Sequence, residues 1–259
     1  MKPHSLPLLL LLLLAVLPLR TATAISWWRP APGASWQIQL QGALDTSLAV
    51  SVYDIDLFDT PPATIDKLHK RGSKVICYFN AGAFEAWRQD AASFPSAVLG
   101  NPLDDWPGER WLDVRRLDLL APIMRARLDL ARTKRCDGVD PDNVDGYTND
   151  TGFAIRAAQQ ATYNKWLARE AHARGLAVGL KNDLAQVSTL VAYFDFAVNE
   201  QCLQYRECDL LLPFIDANKA VFGIEYKGKP DQICAEANRR NFDTLIKRLD
   251  LRAWRLACR

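Results

Sequence analysis

The chain has 259 residues, with 32 Lys and Arg against 30 Asp and Glu, three histidines and six cysteines. So even a charge balance argues against a nucleic-acid binder, which normally shows a net basic face, and so few histidines argue against histidine-based chemistry. The length suits one α/β barrel.

Residues 1–24 read as a signal peptide: Lys2, a leucine run at 8–14, then Ala22-Thr23-Ala24, the small-x-small form that a signal peptidase cuts. Pro18 and Arg20 interrupt the apolar run, which falls short of the roughly 20 residues needed to span a bilayer. Lys2 and Arg20 leave with the leader, so the mature chain carries equal numbers of acids and bases. Residues 25–259 then form a single domain of an exported protein, extracellular or periplasmic.

Strand candidates follow at residues 36–41 and 48–53, joined by a link too short for a full helix. Residues 74–80 are an apolar, β-branched run ending in Asn80, the pattern of a buried strand. Leu117, Leu120, Met124, Leu128 and Ala131 fall on one helical face at spacings of three and four. The strand cadence returns at 136–143, 176–182 and 194–200, then more weakly at 220–226 and 242–247. Strand and helix alternate, which demands parallel strands with right-handed crossovers. Eight strands in this length predict a (β/α)8 TIM-type barrel, irregular at its first βα unit; an open sheet is the alternative.

In an exported chain an even cysteine count favours disulfides. Cys202 with Cys208 would close a short loop, and Cys234 with Cys258 would staple the tail. Cys77 and Cys136 lie in or beside apolar runs, where a buried thiol and a bridge are equally compatible with the pattern. His69 and His172 precede Arg71-Gly72 and Arg174-Gly175 and read as surface residues at helix C-termini, where a cation is favoured. Trp27 and Trp28 either plug the barrel base or line a cleft. Asn149-Asp150-Thr151 is a glycosylation sequon or a helix-start loop.

No phosphate loop, GxSxG elbow or HExxH helix is present, and no cofactor is expected. Barrel sites form at the C-terminal strand ends. Those ends carry Asp54, Asp56, Tyr78, Asn80, Asp140, Asp142, Asn143, Asp145, Lys181, Asn182, Asn199, Glu200 and Gln201. Carboxylates dominate, and sugar hydrolysis needs two: one to protonate the leaving oxygen, one to act as nucleophile or base. The amides and Lys181 can hydrogen-bond hydroxyls. Calcium is the rival reading of 140–145, but the spacing lacks the glycine and closing glutamate of an EF-hand, and no metal site is assigned.

Six segments in order carry a resemblance: Trp36-Gln37-Ile38-Gln39, Tyr53-Asp54-Ile55-Asp56-Leu57-Phe58-Asp59, Cys77-Tyr78-Phe79-Asn80-Ala81-Gly82, Asp137-Gly138-Val139-Asp140-Pro141-Asp142-Asn143-Val144-Asp145-Gly146, Gly179-Leu180-Lys181-Asn182 and Asn199-Glu200-Gln201-Cys202. From about Trp36 to the C-terminus the chain resembles the endo-α-1,4-polygalactosaminidase family, glycoside hydrolase family 114. The resemblance implies a barrel that cuts α-1,4-linked, galactosamine-rich polysaccharide internally, without metal or organic cofactor. It also implies that Asp142 and Glu200 form the catalytic pair; Asp142 is preferred over Asp140 because more distant barrels keep an acid only at the former position. Reach across the intervening strand favours retention, with Asp142 as nucleophile and Glu200 as acid/base. The competing readings are a non-catalytic carbohydrate-binding barrel and a secreted interaction protein whose eight tryptophans are core and interface anchors.

Overall fold

A computed structural model describes residues 26–259; the signal peptide expected at residues 1–24 lies outside the described residues. The elements run β1 (Trp36–Gln39), β2 (Val52–Asp56), α1 (Pro62–Lys70), β3 (Lys74–Asn80), β4 (Ala83–Glu85), β5 (Leu99–Pro102), β6 (Glu109–Leu112) and α2 (Leu117–Lys134). They continue with β7 (Gly138–Asp142), α3 (Ala157–His172), β8 (Ala177–Lys181), α4 (Val187–Leu190), β9 (Phe196–Glu200), α5 (Cys202–Tyr205), α6 (Leu212–Asp216), β10 (Val221–Glu225), α7 (Pro230–Arg239), β11 (Asp243–Ile246) and β12 (Leu256–Ala257).

The main sheet has the order β1-β2-β3-β7-β8-β9-β10-β11-β12. Its first eight strands are parallel and only β12 is antiparallel. Both faces are covered, as a parallel sheet requires. Trp36, Ile38, Ile76, Phe196, Phe222 and Leu245 pack on the inner face of the curl. On the outer face Leu68, Leu120, Met124, Leu128 and Leu167 bring the helices onto the sheet. The stripe that predicted α2 is therefore the buried one.

No helix joins β1 to β2, the irregularity anticipated for the first unit. Among the described residues no backbone ladder joins β1 to β11 either, so what the structure shows is a curled parallel sheet. Side chains and the C-terminal segment bridge the gap. Trp36 Nε1 donates to Asp243 O at 2.7 Å and Lys247 Nζ to Ile38 O at 2.8 Å. The Leu40 amide reaches Leu251 O at 3.0 Å.

Three disulfides are present: Cys202–Cys208, Cys234–Cys258 and Cys77–Cys136. The third, left open by the sequence, ties β3 to the segment before β7 across 59 positions. His69 and His172 are ties rather than free surface groups. Each places Nε2 2.8 Å from an aspartate, Asp137 or Asp195, that also accepts the amide of a neighbouring strand, Val75 or Val178. Trp27 stacks on His172 at 4.0 Å and donates to Asp195 at 2.9 Å, while Trp28 packs toward Phe196. Both tryptophans thus sit at the base, where the strands begin.

Candidate active site

The strand register stacks the acids. Asp56 is level with Tyr78 and Asp140, and Asn80 with Asp142. Period-2 alternation turns Asp54, Asp56, Tyr78, Asn80, Asp140, Asp142, Lys181 and Glu200 into the curl at its C-terminal end, above the apolar plug. Asn143, Asn182 and Gln201 directly follow β7, β8 and β9 with φ of 57°, 48° and 66°. This left-handed turn is one that asparagine tolerates better than most residues, and it ends each strand just after the side chain turned into the curl.

The deepest layer is ionic. Asp54 and Asp140 have no exposure, and Lys181, 2% exposed, places Nζ 3.2 Å from Asp140 Oδ2 and 3.5 Å from Asp142 Oδ1. Burial pushes Asp54 well above the usual carboxylate range, with Asp140 adding to the shift, and neither Asp54 oxygen has a hydrogen-bond partner. Burial raises Asp140 to about 6, with Lys181 opposing. For Lys181 burial works toward the neutral amine, but Asp140, Asp142, Glu200 and Asp54 together hold it well above its ordinary value.

Above that layer each member of the expected pair holds a tyrosine hydroxyl. Tyr78 donates to Asp142 Oδ2 at 2.8 Å, and Tyr226 donates to Glu200 Oε1. Burial and the adjoining carboxylate raise both phenols, so both remain donors. Asp142 Oδ1 also accepts the Asn143 amide at 2.7 Å. Asn182 Oδ1 anchors β9 by accepting the Glu200 amide at 2.9 Å and Asn199 Nδ2 at 3.2 Å. The amides of Ala81 and Gly82 both bond Asp142 O at 3.0 Å. A Cβ on Gly82 would lie 1.6 Å from Asn143 O, so only glycine allows this approach.

A cavity of about 380 Å3 opens on this layer. Tyr78, Asp142, Asn143, Lys181, Asn182 and Glu200 line it, as does Asp56. Asp54 and Asp140 lie beneath, wholly buried, and so act on the lysine rather than on a ligand. Asn80 is likewise buried and bonds the Ala83 amide and Glu109. Asp145 stands behind Asp142, raised to about 6 by burial and by that neighbour. Gln201 turns away to Gln204 at 3.0 Å. None of these five lines the cavity.

The antiparallel sheet β4–β6 supplies a wall outside the strand-end list. Arg88 is buried and pairs with Glu85 at 2.8 Å and Asp56 at 2.7 Å. Asn80 donates to Glu109 at 3.1 Å, and burial, then Glu85 and Asp142, push Glu109 up to about 8. Trp87 and Trp106 stand on the rim, 55% and 43% exposed. No strand-end rule could find these residues, because they lie between strands three and four of the alternation. Tyr226 was findable: Phe222, Ile224 and Tyr226 alternate in the seventh strand and place its hydroxyl at the mouth.

The model of glycoside-hydrolase family GH114 matches residues 18–259. The crystal structure of Aspergillus fumigatus Ega3 in complex with galactosamine is 44% identical, with a TM-score of 0.85 over 90% of this chain and 98% of that one. The glycoside hydrolase domain of PelA from Pseudomonas aeruginosa, 13% identical, matches at 0.69 over 87% of this chain and 98% of that one, a likeness of fold. No curated protein matches the chain.

The buried acids in and behind the site, among them Asp183, which follows Asn182 and accepts from Tyr147 and Asn164, set a pH dependence. Asp140 and Asp145 are raised to about 6, Asp183 and Glu109 to about 8. A carboxyl raised by folding contributes stability that is full below its unfolded value, about 4, and is lost as pH rises through its folded value. Unfolding free energy from urea titrations is therefore expected to fall between pH 5 and 8, and Glu109→Gln with Asp183→Asn to flatten the upper part. A wild-type curve that rises over this interval contradicts the assignment.

Proposed function

Because the chain belongs to glycoside hydrolase family GH114 and is a glycoside hydrolase, we propose that it cuts α-1,4-linked, galactosamine-rich polysaccharide internally, with Asp142 and Glu200 as the reacting carboxyls. The observation that carries this reading is the pair itself: two carboxyls at the ends of β7 and β9, each bonded by a tyrosine hydroxyl, on one cavity. Asp142 faces Tyr78, the Asn143 amide and Lys181, donors suited to an attacking carboxylate. Glu200 then protonates the leaving oxygen, the glycosyl group passes to Asp142, and water activated by Glu200 releases it with retained configuration.

The substrate class follows from charge. Asp56, Asp59, Glu85, Asp142, Glu200 and Asp250 line the cavity against two cations, Arg88 and Lys181. Such a mouth concentrates a cationic polymer even on a near-neutral molecule, and galactosamine without its acetyl group is cationic. The Ega3 crystal structure, 44% identical, holds galactosamine. Exposed Trp87 and Trp106 offer flat apolar faces for sugar rings beside the reacting pair. The side-chain bridges between β1 and β11 favour reading the curl as a closed (β/α)8 barrel formed by residues 25–259 as one domain. Three disulfides, with the signal peptide expected from the sequence, support secretion.

A reducing-end assay on deacetylated α-1,4-galactosamine polymer tests the function: new chain ends are expected from the wild type and none from Asp142→Asn or Glu200→Gln, each folded within about 1 kcal/mol of wild type. Wild-type turnover in either variant would sink the pair, and no new ends from the wild type would leave only a binding protein. Separately, Trp87→Ala and Trp106→Ala are expected to raise KM about tenfold, ~1.4 kcal/mol each, with kcat little changed. Unaltered steady-state kinetics in both variants would remove the rim from substrate binding.

A further inference from the structure

The function above leaves Glu109 without a role, and its position gives it one. Glu109 opens β6 directly across from Glu85 of β4, so the inserted sheet carries it over the catalytic strands. It is 8% exposed and lines the cavity with Asp142. One oxygen, Oε2, accepts Asn80 Nδ2 at 3.1 Å. The other holds no hydrogen bond, yet it is not among the sealed unpartnered atoms, so it is open to the cavity. Arg88, the nearby cation, is committed to Glu85 and Asp56. Glu109 is thus a wall carboxyl with no ion-pair partner among the described residues.

We propose that Glu109 binds the amino group of the substrate and thereby selects galactosamine over N-acetylgalactosamine units. This rests on the galactosamine reading and names the group that enforces it. An ammonium brings three donors and a charge to the open oxygen. An acetamide brings no charge and one N–H in place of three, so it forms no ion pair with the carboxyl, and its acetyl group needs space that the amine does not.

Occupancy moves a proton. In the empty site burial, Glu85 and Asp142 hold Glu109 up to about 8, while Arg88 and the Asn80 hydrogen bond oppose them. Near neutral pH the free carboxyl is protonated. An arriving ammonium favours the carboxylate, so the carboxyl proton leaves to solvent as the ion pair forms.

Glu109→Gln keeps the shape and the acceptor for Asn80 and removes the charge. On deacetylated oligomers the variant is expected to lose at least about tenfold in kcat/KM, chiefly through KM, and on N-acetylated oligomers to change little. Equal losses on both, or none, overturn the proposal. Calorimetry at pH 7 in two buffers of different ionisation enthalpy reads the proton without any cleavage. Galactosamine is expected to release protons from the wild type, whereas N-acetylgalactosamine, or galactosamine with Glu109→Gln, releases none. The same proton count in wild type and variant overturns the role. If neither polymer is cut, the hydrolytic reading fails on its own, and the galactosamine titration still decides Glu109.

Discussion

A lysine buried among carboxylates at the floor of the cavity is the constraint on which the site depends. Lys181 touches Asp140 and Asp142, and Asp54 lies in the same buried layer. Without the ammonium, Asp54 on β2 and Asp140 and Asp142 on β7 would stand close together with no counter-ion. With it, Asp140 holds the lysine from below, Asp54 adds only its field, and the lysine faces Asp142 from the side. The first two acids are sealed beneath the cavity and the third is open to it, so the buried ionic core reaches the cavity through Asp142.

The strands supply this arrangement because a parallel curl brings every C-terminal end to one mouth. What they do not supply is an outer wall. That comes from the β4–β6 insertion, which brings Glu85, Arg88 and Glu109 down onto Asp56 and Asn80 and raises two tryptophans on the rim. The scaffold therefore holds the proposed catalytic pair, and the insertion forms the wall and rim of the cavity. Gly82 is the hinge between them: its missing side chain lets the chain leave β3, cross over Asn143 and still donate to Asp142 O.

The alternation, the eight strands and the strand-end acids were legible because a parallel sheet buried on both faces writes continuous apolar runs that stop at polar residues. Lys74–Asn80 and Phe196–Glu200 are the clearest cases. Depth was not legible. Nothing local distinguishes Asp140, sealed under the lysine, from Asp142 two positions on, because both point the same way and only the height of the apolar plug separates them. Pairings between residues distant in the chain were equally hidden, even for Tyr226, whose place at the mouth the strand alternation gives. Tyr226 lies 26 positions from Glu200, and Asn80 lies 29 from Glu109. Cys77 and Cys136 could each have been a buried thiol until the register of β3 beside β7 brought them together.

Replacing the lysine tests the central claim most directly. Lys181→Met preserves the volume and removes the charge, leaving buried acids with no counter-ion. Urea unfolding at pH 7 is expected to show a loss of about 3–5 kcal/mol, and carbon NMR to show the Asp140 carboxyl titrating above its value of about 6. Wild-type stability with an unmoved Asp140 titration would contradict the account, because the acids would then be held in place without the cation.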